Sequence, residues 1–171
     1  MTNAITYSPT TGFWTVTPGL AGFYAVNSSN SGLAASCFAT PPNPTGTGVT
    51  TTMVGLGNYW SITPRQTGRV KVFITGNMVN GTTADGIIIK IAYGTGLAPL
   101  NNASATGTVI TNSLSWTAYT GLLSVGVPFY MKSFVQNLTI GTSYWFDLQL
   151  TGVTGGTASV LNLTVVAEEV W

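Results

Sequence analysis

The sequence contains no histidine, and only 5% of its residues are charged: five Lys or Arg and four Asp or Glu in 171 residues. About a quarter is typical of soluble domains. Without histidine the chain lacks the usual general base, the commonest metal ligand and the base of a Ser–His or Cys–His nucleophile. The net charge of +1 excludes a broad basic surface for nucleic acid, since phosphate binding needs several clustered Lys or Arg.

The four carboxylates are scattered. Glycoside hydrolysis needs two acids that face each other across a cleft, but Glu168 and Glu169 are sequence neighbours and point to opposite faces of a strand. Asp147 lies within a predicted strand, on its polar side. Calcium prefers several carboxylate oxygens, and the turn at residues 80–86 offers Asp85 alone. We therefore expect no catalytic, cofactor-binding or metal-binding residues, and we expect the protein not to be an enzyme.

Cysteine and long apolar runs are equally scarce. The single cysteine, Cys37, excludes an internal disulfide and is expected to be a small buried residue. Met1–Thr10 has neither the basic nor the apolar region of a secretory signal. No run of about eighteen apolar residues occurs, so we expect no membrane span.

Hydrophobic residues and threonine are plentiful, at 44% of the chain and 29 residues respectively. β-Branched residues of this kind suit a pleated sheet. Short alternating segments separated by Gly, Asn and Thr turns predict an all-β antiparallel sandwich, jelly-roll-like, with an immunoglobulin-like sandwich as the alternative. The clearest predicted strands are Thr51–Val54, Tyr59–Thr63, Gly68–Val79, Gly86–Tyr93, Phe129–Gln136, Ser143–Thr151 and Val160–Val170.

One of these strands predicts which side chains share a face. In Gly68–Val79, Val70 and Val72 point one way, whereas Lys71 and Phe73 point the other. The residues at 80–86 predict a hairpin turn, because Asn-Gly and Asp-Gly favour positive φ, and Gly86–Tyr93 is expected to pair with the strand before it.

The domain organisation follows from charge and composition. Residues 1–64 carry no charged side chain, and residues 40–48 form a cluster of Pro, Gly and Thr that is typical of a loop or linker. The sequence therefore predicts an uncharged N-terminal segment or attachment arm at 1–48 and a β-sandwich domain at 49–171.

Several charged and aromatic residues are candidates for contacts with other molecules. Three of the five positive charges fall within residues 65–71, and this cluster suits a solvated strand end as well as an acidic surface of another subunit. A terminal tryptophan suggests a docked chain end. The candidate interface residues are Arg65, Arg69, Lys71, Glu168, Glu169 and Trp171.

Trp116 and Tyr119 lie in a less regular stretch, where their rings could stack on the sugars of a host-surface glycan. Aromatic residues also fill interfaces between subunits, and we favour that interpretation. The near-zero net charge points the same way, because such a chain has little protection against self-association.

The central part of the chain resembles a module of bacteriophage structural proteins and of predicted phage or prophage proteins. The resemblance covers about residues 53–110. It is carried by Val54–Gly57, the run SITPRQTGRVKV at 61–72, Gly76, Asp85-Gly86 and the run IAYGTGLAP at 91–99. It implies a virion-surface component with a trimeric jelly-roll-like domain, on a capsid or at a fibre tip, and it brings no catalytic residues.

The leading hypothesis is a virion structural protein that assembles with itself, as a trimer, and binds the major capsid protein or another virion protein through its N-terminal segment. It would act on the virion surface after assembly in the host cytoplasm. Two alternatives are a glycan- or receptor-binding tip of a phage fibre, and a bacterial surface or filament subunit linked by donated strands.

Overall fold

The computed structural model describes residues 5–8, 13–16, 34–44, 46, 48–117 and 126–171, with only the backbone at 5–8, 13–16, 111–112 and 114–117. The chain divides into two compact units, Met1–Ala34 and Ala35–Trp171. In the first unit, β1 (Ile5–Ser8) pairs antiparallel with β2 (Phe13–Val16). The part of the chain that the structure describes holds no helix that could span a membrane.

In the described residues of the second unit, the regular elements are strands. In chain order they are β3 (Ser36–Ala39), β4 (Thr52–Met53), β5 (Ser61–Ile62), β6 (Val70–Asn80), β7 (Gly86–Thr95), β8 (Thr108–Thr117), β9 (Val127–Val135), β10 (Tyr144–Gly152) and β11 (Ala158–Glu169). The four-stranded sheet has the order β3-β11-β6-β9, and the five-stranded sheet has the order β4-β10-β7-β8, with β5 also on β10. All pairs are antiparallel, and this strand order is that of a jelly roll, so the predicted fold class is confirmed.

The core lies between the two sheets, because each strand turns every second side chain inward. Val70 and Val72 of β6 are fully buried, whereas Lys71 and Phe73 of the same strand lie on the outer face, as predicted. Most of the rest of the core comes from alternate residues of β7, β9, β10 and β11, together with Trp60.

The outer face of the five-stranded sheet is also covered, which the sequence did not predict. The face of β10 expected to be polar and exposed includes Asp147 and Gln149, and both are buried. The loop at 96–107 lies over this face: the Gln149 side-chain amide donates to the carbonyl of Thr106 at 3.2 Å, and the Met53 N–H donates to the carbonyl of Ala103 at 2.8 Å. A second small core around Met53 and Trp145 forms beneath the loop.

The turn at residues 80–86 joins the two sheets and is not a hairpin, so the predicted pairing of its flanking strands is wrong. β6 pairs with β9 and β11, whereas β7 pairs with β8 and β10. The positive φ in the turn falls on Ala84, at 58°. Asn80 and Asp85 are both buried, and their hydrogen-bonded side chains form the corner.

The division between the units also differs from the predicted boundary after residue 48. β3 pairs with β11 through all four of its residues, and the Glu169 N–H donates to the carbonyl of Ala35. Residues from Ala35 onward therefore belong to the sandwich. Cys37 in this strand is partly buried against the core.

Candidate assembly surface

The predicted cluster of positive charges lies at one end of the sandwich. Arg65 and Arg69 occupy the connection between β5 and β6, and both are exposed. Lys71 follows in β6, with its Nζ 2.5 Å from Glu168 Oε2 on the neighbouring strand. The carboxylate expected from another subunit is thus supplied to Lys71 by its own chain. Trp171 is 79% exposed, so the described part of its own chain leaves this ring in solvent.

Glu169 is buried and holds the same loop in place. Its Oε1 accepts hydrogen bonds from the N–H groups of Gln66, Thr67 and Gly68 at 2.7, 2.6 and 3.2 Å. Its Oε2 accepts from the N–H of Arg65 at 2.8 Å. Burial alone raises the pKa of Glu169, but the hydrogen bonds from Arg65, Thr67 and Gln66 outweigh it and lower the pKa to about 2. Glu169 therefore binds the loop of its own chain, and its role at an interface stays a prediction.

Asp147, on the five-stranded sheet, likewise accepts hydrogen bonds from backbone N–H groups. Its Oδ2 accepts a hydrogen bond from the Gly55 N–H at 2.9 Å, and its Oδ1 accepts from the N–H groups of Leu56 and Leu148 at 3.0 and 2.7 Å. The residue is 0% exposed. Burial raises the pKa of Asp147 to about 6, and the hydrogen bonds from Leu56, Gly55 and Leu148 only partly offset this effect.

Asp85 holds the opposite end of the sandwich. Its two oxygens accept hydrogen bonds from the N–H groups of Thr154 and Gly155 at 2.8 and 2.9 Å, and from the side-chain amide of Asn80 at 2.9 Å. Burial raises its pKa, but the Thr154 and Gly86 N–H groups, with further donors, lower the pKa to about 2. The side chain serves the turn, as the sequence suggested.

All four carboxylates are thus engaged inside the molecule, three with loop backbone and one with Lys71. Among the residues that the structure describes, no three His, Cys, Asp or Glu side chains approach closely enough to hold a metal ion. A cavity of about 290 Å³ lies over Val54–Leu56 and beside Tyr59, and no carboxylate or amine lines it. The described residues offer no paired acids for hydrolysis.

The structure describes only part of the predicted aromatic contact at Trp116 and Tyr119. Trp116 belongs to β8, opposite Ile87 of β7. The side chain of Trp116 and all of Tyr119 lie outside the described residues.

The outer face of the four-stranded sheet carries a group of aromatic side chains, which we call the aromatic patch: Phe38, Phe73, Tyr130 and Phe134. Val166 of β11 is the cross-strand partner of both Phe38 and Phe73, so these side chains share one face. The rings of Phe73 and Tyr130 lie 6.1 Å apart. Phe38, Tyr130 and Phe134 are 72%, 57% and 51% exposed.

Sequence reasoning missed this patch, although one signal was available. Phe73 falls on the same side of its strand as Lys71, which shows that this face is not purely polar. In β9, Met131 and Val135 alternate with Tyr130, Lys132 and Phe134, so the charge of Lys132 was a further signal that the second face points outward. The sequence did not show that β9 lies beside β6, which brings Phe73 and Tyr130 together.

Comparison with known proteins identifies no family for the chain. No protein-family model matches it, and no curated protein matches it. Among solved structures it is similar to Eiger TNF from S. frugiperda, with 12% identity and a TM-score of 0.43, over 81% of this chain and 92% of that one. A likeness of this size carries no argument about function.

Proposed function

We propose that this chain is a non-enzymatic structural protein that assembles with copies of itself, as a trimer, on the surface of a bacteriophage particle. The observation that carries the proposal is the combination of an almost uncharged chain with an exposed aromatic patch. A low charge weakens the repulsion between monomers, and the burial of exposed aromatic area stabilises their association.

The absence of available chemistry supports a structural role. The chain has no histidine, and every carboxylate is engaged in holding a loop or in pairing with Lys71. Such groups stabilise a fold and are not free to take up a substrate proton.

The virion assignment rests on the sequence resemblance of residues 53–110. In this proposal the unit Met1–Ala34, which carries no charge, attaches the sandwich to the major capsid protein or to another virion protein.

Negative-stain electron microscopy of the purified full chain tests the proposal. We expect discrete particles with three lobes. Long filaments would indicate a surface or filament subunit, and single lobes would contradict self-assembly.

A further inference from the structure

We propose that a second copy of this chain covers the outer face of the four-stranded sheet, with the aromatic patch at the centre of the contact. The inference rests on the proposed self-assembly and deepens it, because it names the surface through which the copies meet.

The two outer faces of the sandwich differ in how far the chain itself covers them. On the five-stranded sheet, the chain's own loop at 96–107 covers Trp145 and Gln149, leaving them 6% and 9% exposed. On the four-stranded sheet, the described residues supply no such cover, and Phe38 is 72% exposed. The fold thus buries the Trp145 ring on one outer face and leaves the Phe38 ring on the other exposed.

The exposed area of the aromatic patch is large enough to form the centre of an interface. A large aromatic side chain offers about 150–250 Å², so the exposed fractions of Phe38, Tyr130 and Phe134 amount to roughly 350 Å². This is within the range of the largest patches on monomers, about 300–600 Å², which are often functional. It is also nearly half of the roughly 800 Å² that each partner contributes to a standard interface. Neighbouring polar residues of the sheet can supply the rim.

The few charges beside the patch favour another copy of this sparsely charged chain as the partner. Lys71 is already neutralised by Glu168 in the row beside the patch. The Nζ of Lys132 lies 5.8 Å from the centroid of the Phe134 ring, so its charge is shared with an aromatic face. Lys132 keeps its positive charge, but it lies on the edge strand β9, where its ammonium can stay at the solvated rim of a contact. A copy with 5% charged residues brings few charges of its own to such a contact.

The geometry of the patch favours a stable contact. Its four aromatic residues lie on strands β3, β6 and β9, which are held by continuous backbone pairing. Rigid side chains on strands lose little conformational freedom on association.

The test compares two double variants of the full chain. Phe38→Ser with Phe134→Ser removes the two ends of the patch, and Leu97→Ser with Leu100→Ser removes two exposed apolar residues, 95% and 71% exposed, from the loop at 96–107. Light scattering over a dilution series gives the dissociation constant of each. We expect the patch variant to dissociate about 100-fold more readily, at about tenfold for each buried aromatic, and the loop variant to match the wild type.

The outcomes separate this inference from the proposed function. A wild-type chain that is monomeric at every concentration refutes self-assembly itself. An oligomeric wild type whose patch variant keeps its mass, or whose loop variant dissociates equally, overturns the assignment of the surface. Far-UV circular dichroism checks that each variant is folded, and Tyr130→Ser replaces the double variant if that one loses strand signal.

Discussion

Glu169 Oε1 accepts a hydrogen bond of 2.6 Å from the N–H of Thr67, which joins the last strand of the sandwich to the loop before β6. The neighbouring residue, Glu168, instead faces outward and pairs with Lys71. Two adjacent carboxylates therefore have different roles, because consecutive side chains of a strand point to opposite faces.

The first prediction compares these two residues. Glu169→Gln replaces a charged acceptor by an amide whose NH₂ group opposes at least one backbone N–H of the loop. We expect a loss of about 3 kcal/mol in the free energy of unfolding, since hydrogen bonds to charged groups are strong and buried donors are left unsatisfied. Glu168→Gln removes only a partly exposed ion pair and should cost less than about 1 kcal/mol. Urea unfolding measures both, and equal losses would contradict the assignment.

The second prediction concerns pH. The pKa of Asp147 is about 6 in the fold against an ordinary 3.8, so the folded state holds its proton more tightly than the unfolded state. Its contribution therefore makes the protein more stable as pH falls from about 6 to about 4. Asp85 and Glu169, with pKa values near 2, have the opposite sign: their contribution is present above about pH 4.5 and is lost as pH falls toward 2.

Urea unfolding at about pH 7, pH 5 and pH 3 checks these signs. Stability should be highest near about pH 5, and Asp147→Asn should abolish the gain between about pH 7 and pH 5 while leaving the acid loss unchanged. A wild-type stability that falls steadily from pH 7 downward would contradict the raised pKa of Asp147.

The third prediction concerns Gly68, whose N–H also donates to Glu169. Its φ is +62°, and a Cβ at this position would collide with the carbonyl oxygen of Leu138. Gly68→Ala should therefore cost at least about 3 kcal/mol, from the left-handed backbone and the overlap together. Gly141 has a similar φ of +82° but open space around it, so Gly141→Ala should cost only about 1 kcal/mol. Thermal unfolding compares them, and similar losses would show that the collision is relieved.

The fourth prediction concerns the division after Ala34. A chain that begins at Ala35 keeps β3 on β11 and should unfold at a temperature close to that of the full chain. A chain that begins at Pro41 loses β3 and the Ala35 contacts of Glu169, and its unfolding temperature should fall. Calorimetry measures both, and a shorter chain as stable as the longer one would place β3 outside the cooperative unit.

The fold class was predictable because most strands alternate clearly. β6 shows Val70, Val72 and Ile74 inside, alternating with Lys71, Phe73 and Thr75. β8 was not predicted as one strand, since its residues, TVITNSLSWT, are mostly small and polar and give no period. The hairpin at 80–86 was a wrong inference because local turn chemistry does not determine which sheet the next strand joins.

The roles of the carboxylates could not be predicted from the sequence, because they depend on contacts between distant parts of the chain. Asp147 alternates with apolar residues as an exposed side chain would. Its buried carboxylate accepts hydrogen bonds from Gly55 and Leu56, which lie 92 and 91 residues earlier in the sequence. Glu169 depends likewise on the loop at 65–68. Contacts over about a hundred residues leave no local pattern.

The mass of the full chain in solution shows directly whether its copies assemble. Light scattering at micromolar concentration should give three times the chain mass of 17.8 kDa. A mass of 17.8 kDa that persists at the highest concentration reached would refute self-assembly, because the aromatic patch would then be exposed on a stable monomer.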